Sequence, residues 1–254
     1  MQAAGIKVMG MVGGAAPGSF TDQTLDGDDA TFEGAYSQLA VAIRAHNLDG
    51  MDIDVEQPMS QAGITRLVQR LRADFGPPFT ITLSPVASAL YGPWDNNNLS
   101  GFNYAVLEGD VGADIAFYNA QFYSGFGDLR STRDYDLVVK EGWKPAKVVA
   151  GQLTAVAHGN GFIEFNRLNA TVRALQQKHG EIGGIMGWEY FNSDPSSGEP
   201  WKWAQVMTKI LRPNAVPTLT ITAATAEALK QAWFVSSLGG DAMPNVDYLA
   251  MINA

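Results

Sequence analysis

Six short apolar runs, each followed by a stretch with helical periodicity, constrain this chain more than any other feature. The runs are Lys7–Val12, Met51–Val55, Phe79–Pro85, Ile115–Tyr123, Lys147–Leu153 and Ile182–Trp188. The segments predicted as helices are Thr31–His46, Ser60–Phe75, Tyr104–Leu107, Tyr135–Glu141, Phe165–His179 and Trp201–Leu211. In the second of these, Ile64, Leu67, Val68 and Leu71 fall on one stripe. Repeated βα units with short apolar strands specify an α/β fold, a parallel sheet covered by helices. Two architectures compete, a doubly wound sheet and a (β/α)₈ TIM barrel. A nucleotide-binding doubly wound sheet wants G-x-G-x-x-G after its first strand, and Gly13-Gly14-Ala15-Ala16-Pro17-Gly18 does not supply it. Candidate functional residues stand at the C-terminal ends of several different strands: Glu56, Tyr123 and Trp188. A barrel assembles its site from those ends, so the barrel is expected.

The chemistry concentrates in Asp49-Gly50-Met51-Asp52-Ile53-Asp54-Val55-Glu56. Alternation along a strand sets Asp52, Asp54 and Glu56 on one face and Ile53 and Val55 on the other. Three carboxylates on one face repel, which is useful where one acid must hold a proton near neutral pH. Other readings remain open from the residues alone. A calcium loop wants polar residues between its acids and Gly at its sixth position, whereas here the spacers are Ile and Val and the Gly comes second. A divalent-metal site would be unusual without His in the stretch. A charged edge strand would account for the acids but not for the repeated βα units around them.

Charge and composition narrow the partners. A net charge of -9 disfavours nucleic acid and anionic membrane surfaces, and no apolar run approaches spanning length. With no cysteine, disulfides, thiolate chemistry and Cys-ligated zinc are excluded. No metal and no cofactor is expected. Trp94, Trp188, Trp201 and Trp203 lie near turns rich in Gly, Asn and Asp, as suits rings that stack on sugars, although most barrel aromatics are core. The N-terminus has no basic region followed by an apolar run, hence no signal peptide as the sequence stands. His46, His158 and His179 fall in helices or loops and receive no chemistry.

The acidic stretch matches D-G-x-D-x-D-x-E without substitution and so resembles the signature of glycoside hydrolase family 18. Three other segments agree in order. Lys7–Gly14 is similar to that family's third strand, with Met11 where Ser is usual. Asn119–Tyr123 is similar to its sixth and Gly184–Tyr190 to its eighth. The segments Val12–Phe20, Asp54–Met59 and Gly187–Asn192 resemble fungal endo-β-N-acetylglucosaminidases in particular, with chitinases as the alternative.

The resemblance implies a TIM barrel over residues 1–212 that lacks its first two βα units. Residues 213–254 would follow as a linker (Pro213–Thr222) and a short helical tail (Ala224–Leu238). It also implies retaining, substrate-assisted hydrolysis of an N-glycan or chitin-type oligosaccharide by an extracellular enzyme, monomeric when full length. The sugar's own acetamide oxygen would then be the nucleophile. Glu56 would be acid and base, Asp54 would hold the acetamide N–H, and Asp52 would share a proton with Asp54. Tyr123 would bond the acetamide oxygen and Trp188 would floor the sugar. Gln121, Asn192 and Gly14 would complete substrate binding. From the residues alone, Tyr123 and Trp188 could equally be barrel core.

Overall fold

The computed structural model describes residues 1–92 and 97–214. The described residues from Met9 onward form one compact unit, and Met1–Val8 belong to another and carry a short turn at Gln2–Ala4. The larger unit contains strands β1 (Met9–Gly13), β2 (Gly50–Asp54), β3 (Thr80–Leu83), β4 (Phe117–Gln121), β5 (Val148–Leu153) and β6 (Gly184–Trp188). Its helices are α1 (Asp29–Ala45), α2 (Gln61–Phe75), α3 (Tyr104–Val111), α4 (Arg133–Lys140), α5 (Phe165–His179) and α6 (Trp201–Leu211).

Every pairing is parallel, and the strands lie in chain order from β1 to β6. A doubly wound sheet reverses its order at a switch point, so this uninterrupted winding is of barrel type. Side chains from all six strands line one cavity of about 460 Å³, among them Met11, Asp52, Thr82, Asn119, Val149 and Met186. Among the described residues β1 and β6 are the two sheet edges. The expected linker and tail lie almost entirely outside the described residues, as does Trp94.

Strand alternation decides which face each residue takes. Met51, Ile53 and Val55 are buried in the core that also holds Phe32, Tyr36, Ala40 and Ile43 of α1 and Ile64, Leu67, Val68 and Leu71 of α2. Burying each such aliphatic is worth roughly 1.5–3 kcal/mol. A slip of β2 by one residue would exchange those three for Asp52, Asp54 and Glu56, so the register is strongly specified.

Helix ends show where local pattern was insufficient. α1 begins two residues before the apolar pattern because Asp28 caps it, accepting from the Thr31 N–H at 2.9 Å. α3 runs four residues past its expected end at Leu107. There Glu108 accepts from Lys147 Nζ at 2.7 Å and from the Tyr118 hydroxyl at 2.8 Å, and these tertiary bonds fix the extra turn. α4 likewise starts at Arg133 rather than Tyr135, with Asp134 and Asp136 in its first turn, where the helix dipole favours acids.

Two adjacent glycines end β1 and test the packing differently. Gly13 has φ +105°, and a Cβ there would collide with the Asp54 carbonyl oxygen and the Phe20 ring. Gly14 has φ +88°, but a Cβ there would meet nothing closer than Asp54 Oδ2 at 3.8 Å. Gly13→Ala should therefore cost more than about 4 kcal/mol, and Gly14→Ala only about 1–3 kcal/mol of backbone strain. Denaturant midpoints of the two variants check the order; equal losses would contradict the packing.

Candidate active site

The concave face carries a ladder of polar side chains matched across three strands. Asp52 on β2 accepts from the Thr82 hydroxyl, from the Ser84 hydroxyl at 2.5 Å and from Asn119 Nδ2 at 3.1 Å. One rung further, Gln121 Nε2 lies 3.1 Å from Asp54 Oδ1, 3.1 Å from Glu56 Oε1 and 3.0 Å from the Ser84 carbonyl oxygen. That nitrogen has two hydrogens for three acceptors, so the two carboxylates are incompletely satisfied. Tyr123 stands two residues beyond Gln121 on the same face, 8% exposed, and its hydroxyl has no hydrogen-bond partner among the described residues.

No cation bonds to this ladder among the described residues, and the electrostatics follow from that. Burial of Asp54 first, then the charges of Glu56 and Asp52, push its carboxyl up to about 8. Asp54 thus holds a proton at neutral pH. Burial, and then Asp54, Glu56 and Asp52, also raise the Tyr123 phenol well above its usual value, which keeps it a hydrogen-bond donor.

Neighbouring strands frame the acids. The Gly14 N–H donates to the Asp54 carbonyl oxygen at 2.8 Å, and the Gly18 N–H donates to Gln57 Oε1 at 2.7 Å, which ties the loop after β1 to the end of β2. Trp188 ends β6 with 44% of its surface exposed. The Trp188–Glu189 peptide is cis. Asn192 follows, its Oδ1 2.7 Å from His158 Nε2.

The structure thus brings Asp52, Asp54, Glu56, Gln121, Tyr123 and Gly14 together. Trp188 and Asn192 are linked to each other through His158, and neither makes a hydrogen bond to the acids among the described residues. Gln121, expected to meet a sugar hydroxyl, has its amide nitrogen turned onto the carboxylates. Trp203 is core and Trp201 is exposed. Sequence reasoning missed Thr82, Ser84 and Asn119. Their signal was available, since Thr82-x-Ser84 and Asn119-x-Gln121-x-Tyr123 carry the same period of two as the acids. Among the described residues no group of three or more His, Cys, Asp or Glu could hold a metal ion. No described helix is long and apolar enough to cross a membrane.

The chain matches no protein-family model and no curated protein. Solved structures do match. A fungal endo-β-N-acetylglucosaminidase of glycosyl hydrolase family 18 is 61% identical, with a TM-score of 0.81 over 84% of this chain and 75% of that one. The chain belongs to glycoside hydrolase family 18. A chitinase from Aspergillus fumigatus is 48% identical to this family-18 chain, with a TM-score of 0.72 over 80% of this chain and 72% of the other. A Group IV chitinase from Ostrinia furnacalis, 13% identical with a TM-score of 0.56, covers 81% of this chain and 80% of its own length, and shares the fold alone.

The Asp54 proton has a consequence for stability in this family-18 site. The folded carboxyl titrates near 8 against an ordinary 3.8, so between those values the folded chain binds more protons than the unfolded one. Stability must then fall as pH rises through that window, by at most about 1.4 kcal/mol per pH unit. Asp54→Asn removes this penalty. The variant should gain stability over the wild type increasingly from pH 4 to pH 8, as read by denaturant midpoints. A difference that does not change with pH would contradict the assignment.

Proposed function

We propose that this family-18 chain is an endo-acting glycosidase that cleaves the β-1,4 bond between two N-acetylglucosamine residues in the chitobiose core of N-glycans. The observation that carries this reading is Gln121 Nε2, which spans Asp54 and Glu56 at 3.1 Å each. Two oxygens bonded to one nitrogen lie no farther apart than the combined length of those bonds. Inverting glycosidases need carboxyls about 6.5–9.5 Å apart to admit water between them, so this pair does not suit inversion, and the nucleophile is sought in the substrate itself. Identity with the fungal endo-β-N-acetylglucosaminidase favours N-glycans. Identity with the A. fumigatus chitinase supports a second reading, hydrolysis of chitin oligomers. An extracellular site of action is part of this reading.

Glu56 is half-buried and donates a proton to the leaving oxygen, while the sugar's acetamide oxygen attacks the anomeric carbon to give an oxazolinium ion. Asp54, buried beneath Glu56, meets the acetamide N–H and, as the proton it shares passes to Asp52, offsets the charge that develops there. Asp52, held by its three donors, fixes the base of the ladder. The unpartnered Tyr123 hydroxyl donates to the acetamide oxygen and holds it in line, which makes a mobile group an intramolecular nucleophile. Glu56, now a carboxylate, then activates the water that opens the oxazolinium. Trp188 lies under the sugar.

Glu56→Gln should lower kcat by about 10²–10⁴-fold without loss of fold, because it removes only the transferable proton. Purified protein assayed on a high-mannose glycopeptide and on chitin oligomers separates the two substrate readings. In either case proton NMR should show the β-anomer as the first product. Retention of more than a tenth of kcat in the variant, or an α-anomer formed first, would defeat the mechanism.

A further inference from the structure

His158 lies outside the acidic ladder, on a short turn (Val156–His158) after β5, yet it touches both sugar-binding candidates at the other end of the site. Its Nδ1 is 3.2 Å from the Trp188 carbonyl oxygen and 3.1 Å from the Thr154 hydroxyl. Its Nε2 is 2.7 Å from the Asn192 amide. Its ring stands edge-to-face with the Trp188 indole, with centroids 5.4 Å apart at 81°.

The partners determine where the proton sits. A carbonyl oxygen can only accept, and the Thr154 hydroxyl spends its hydrogen on the Glu189 carbonyl at 2.5 Å. Both contacts of Nδ1 therefore require Nδ1–H. With the proton on Nδ1 the neutral ring accepts at Nε2, so the Asn192 amide is assigned with its N–H toward the ring. Thr154 completes the fixture: it is fully buried, its N–H donates to the Trp188 carbonyl at 3.0 Å, and its own carbonyl accepts from the Asp194 N–H at 3.1 Å. The carbonyl of Trp188 is thus held from two sides, while 44% of the residue stays exposed.

We propose that His158 is a positioning residue that sets Trp188 and Asn192 together for one sugar ring, Trp188 offering its face and Asn192 a polar group. It rests on the reading of Trp188 as the sugar platform. Trp188 needs such support because it stands at the end of β6, a sheet edge among the described residues, and is more than a third exposed. Loss of the imidazole frees the indole and the Asn192 amide at once. Both serve ground and transition state alike, so the loss falls on KM rather than kcat.

The test uses the full chain and three substitutions, with a high-mannose glycopeptide and chitin oligomers as probes. His158→Ala should raise KM about 10-fold on the better substrate with kcat within about threefold of wild type. His158→Asn places an amide N–H where Nδ1 stood and should restore KM to within about threefold. His158→Gln reaches only toward Asn192 and should fall between them. A readout independent of turnover comes from tryptophan emission. His158→Ala should alter the emission spectrum of the wild type but not that of Trp188→Phe. An unchanged KM, or an Asn variant no better than Ala with both less stable than wild type, would overturn the positioning role. Should the wild type hydrolyse neither probe, the glycosidase reading fails by itself. The emission comparison then still decides the claim, and identical effects in the two backgrounds would refute it.

Discussion

Three carboxyls in line along β2 and just past its end are the constraint to which the rest of the site answers. A fold can compensate buried carboxylates with Lys or Arg, which would hold them ionised, or with neutral donors, which fix geometry and leave the repulsion in place. This chain takes the second course. Thr82, Ser84, Asn119 and Gln121 supply the donors, all uncharged, from the two strands that follow β2 in the sheet. Among the described residues cations are used elsewhere, as in Lys147 on Glu108 and Arg72 on Asp114. Repulsion is thereby kept where a retained proton has a use, and the raised Asp54 follows from it.

Parallel pairing converts this local need into a requirement on the whole sheet. Asp52 is registered with Thr82 across the β2–β3 ladder, and Asn119 reaches the same carboxylate from β4. A donor from a non-adjacent strand can reach only if the sheet curves, so the ladder and the winding support each other. The opposite face of each strand answers to the hydrophobic core. Ile53 and Val55 on β2, and Tyr118, Ala120 and Phe122 along β4, are all buried beneath helices. One alternation therefore satisfies two demands, and neither strand can shift register without failing both.

Much of this was legible in the sequence because it is periodic. Six strands and six helices appear where the apolar pattern places them, and the acids stand together as their spacing of two requires. The misses were of three kinds. Helix ends moved where a single side chain outweighed the pattern: Asp28 as a cap, and Glu108 anchored by Lys147. The partners of Asp52 were overlooked because Thr82 and Ser84 read as ordinary strand residues until pairing sets them beside a carboxylate. His158 was beyond reach for a different reason. Val156-Ala157-His158-Gly159 has no pattern of its own, and its contacts lie 30 and 34 residues later in the chain.

The contrast between the two halves of the site follows from the same physics. At the acids, specificity lies in charge, and charge acts through space, so regular strands with fixed alternation are enough to arrange it. At Trp188 and Asn192 the expected contacts are with the face and hydroxyls of a sugar, which depend on the orientation of a ring and an amide. Orientation needs local hydrogen bonds to backbone, and these come from the irregular segments after β5 and β6, where carbonyls left over from the sheet are free to accept. Thr154 and His158 use the carbonyls of Trp188 and Glu189 in that way. Regular structure thus places the reacting groups, and the loop segments beyond it aim the groups that hold the substrate against them.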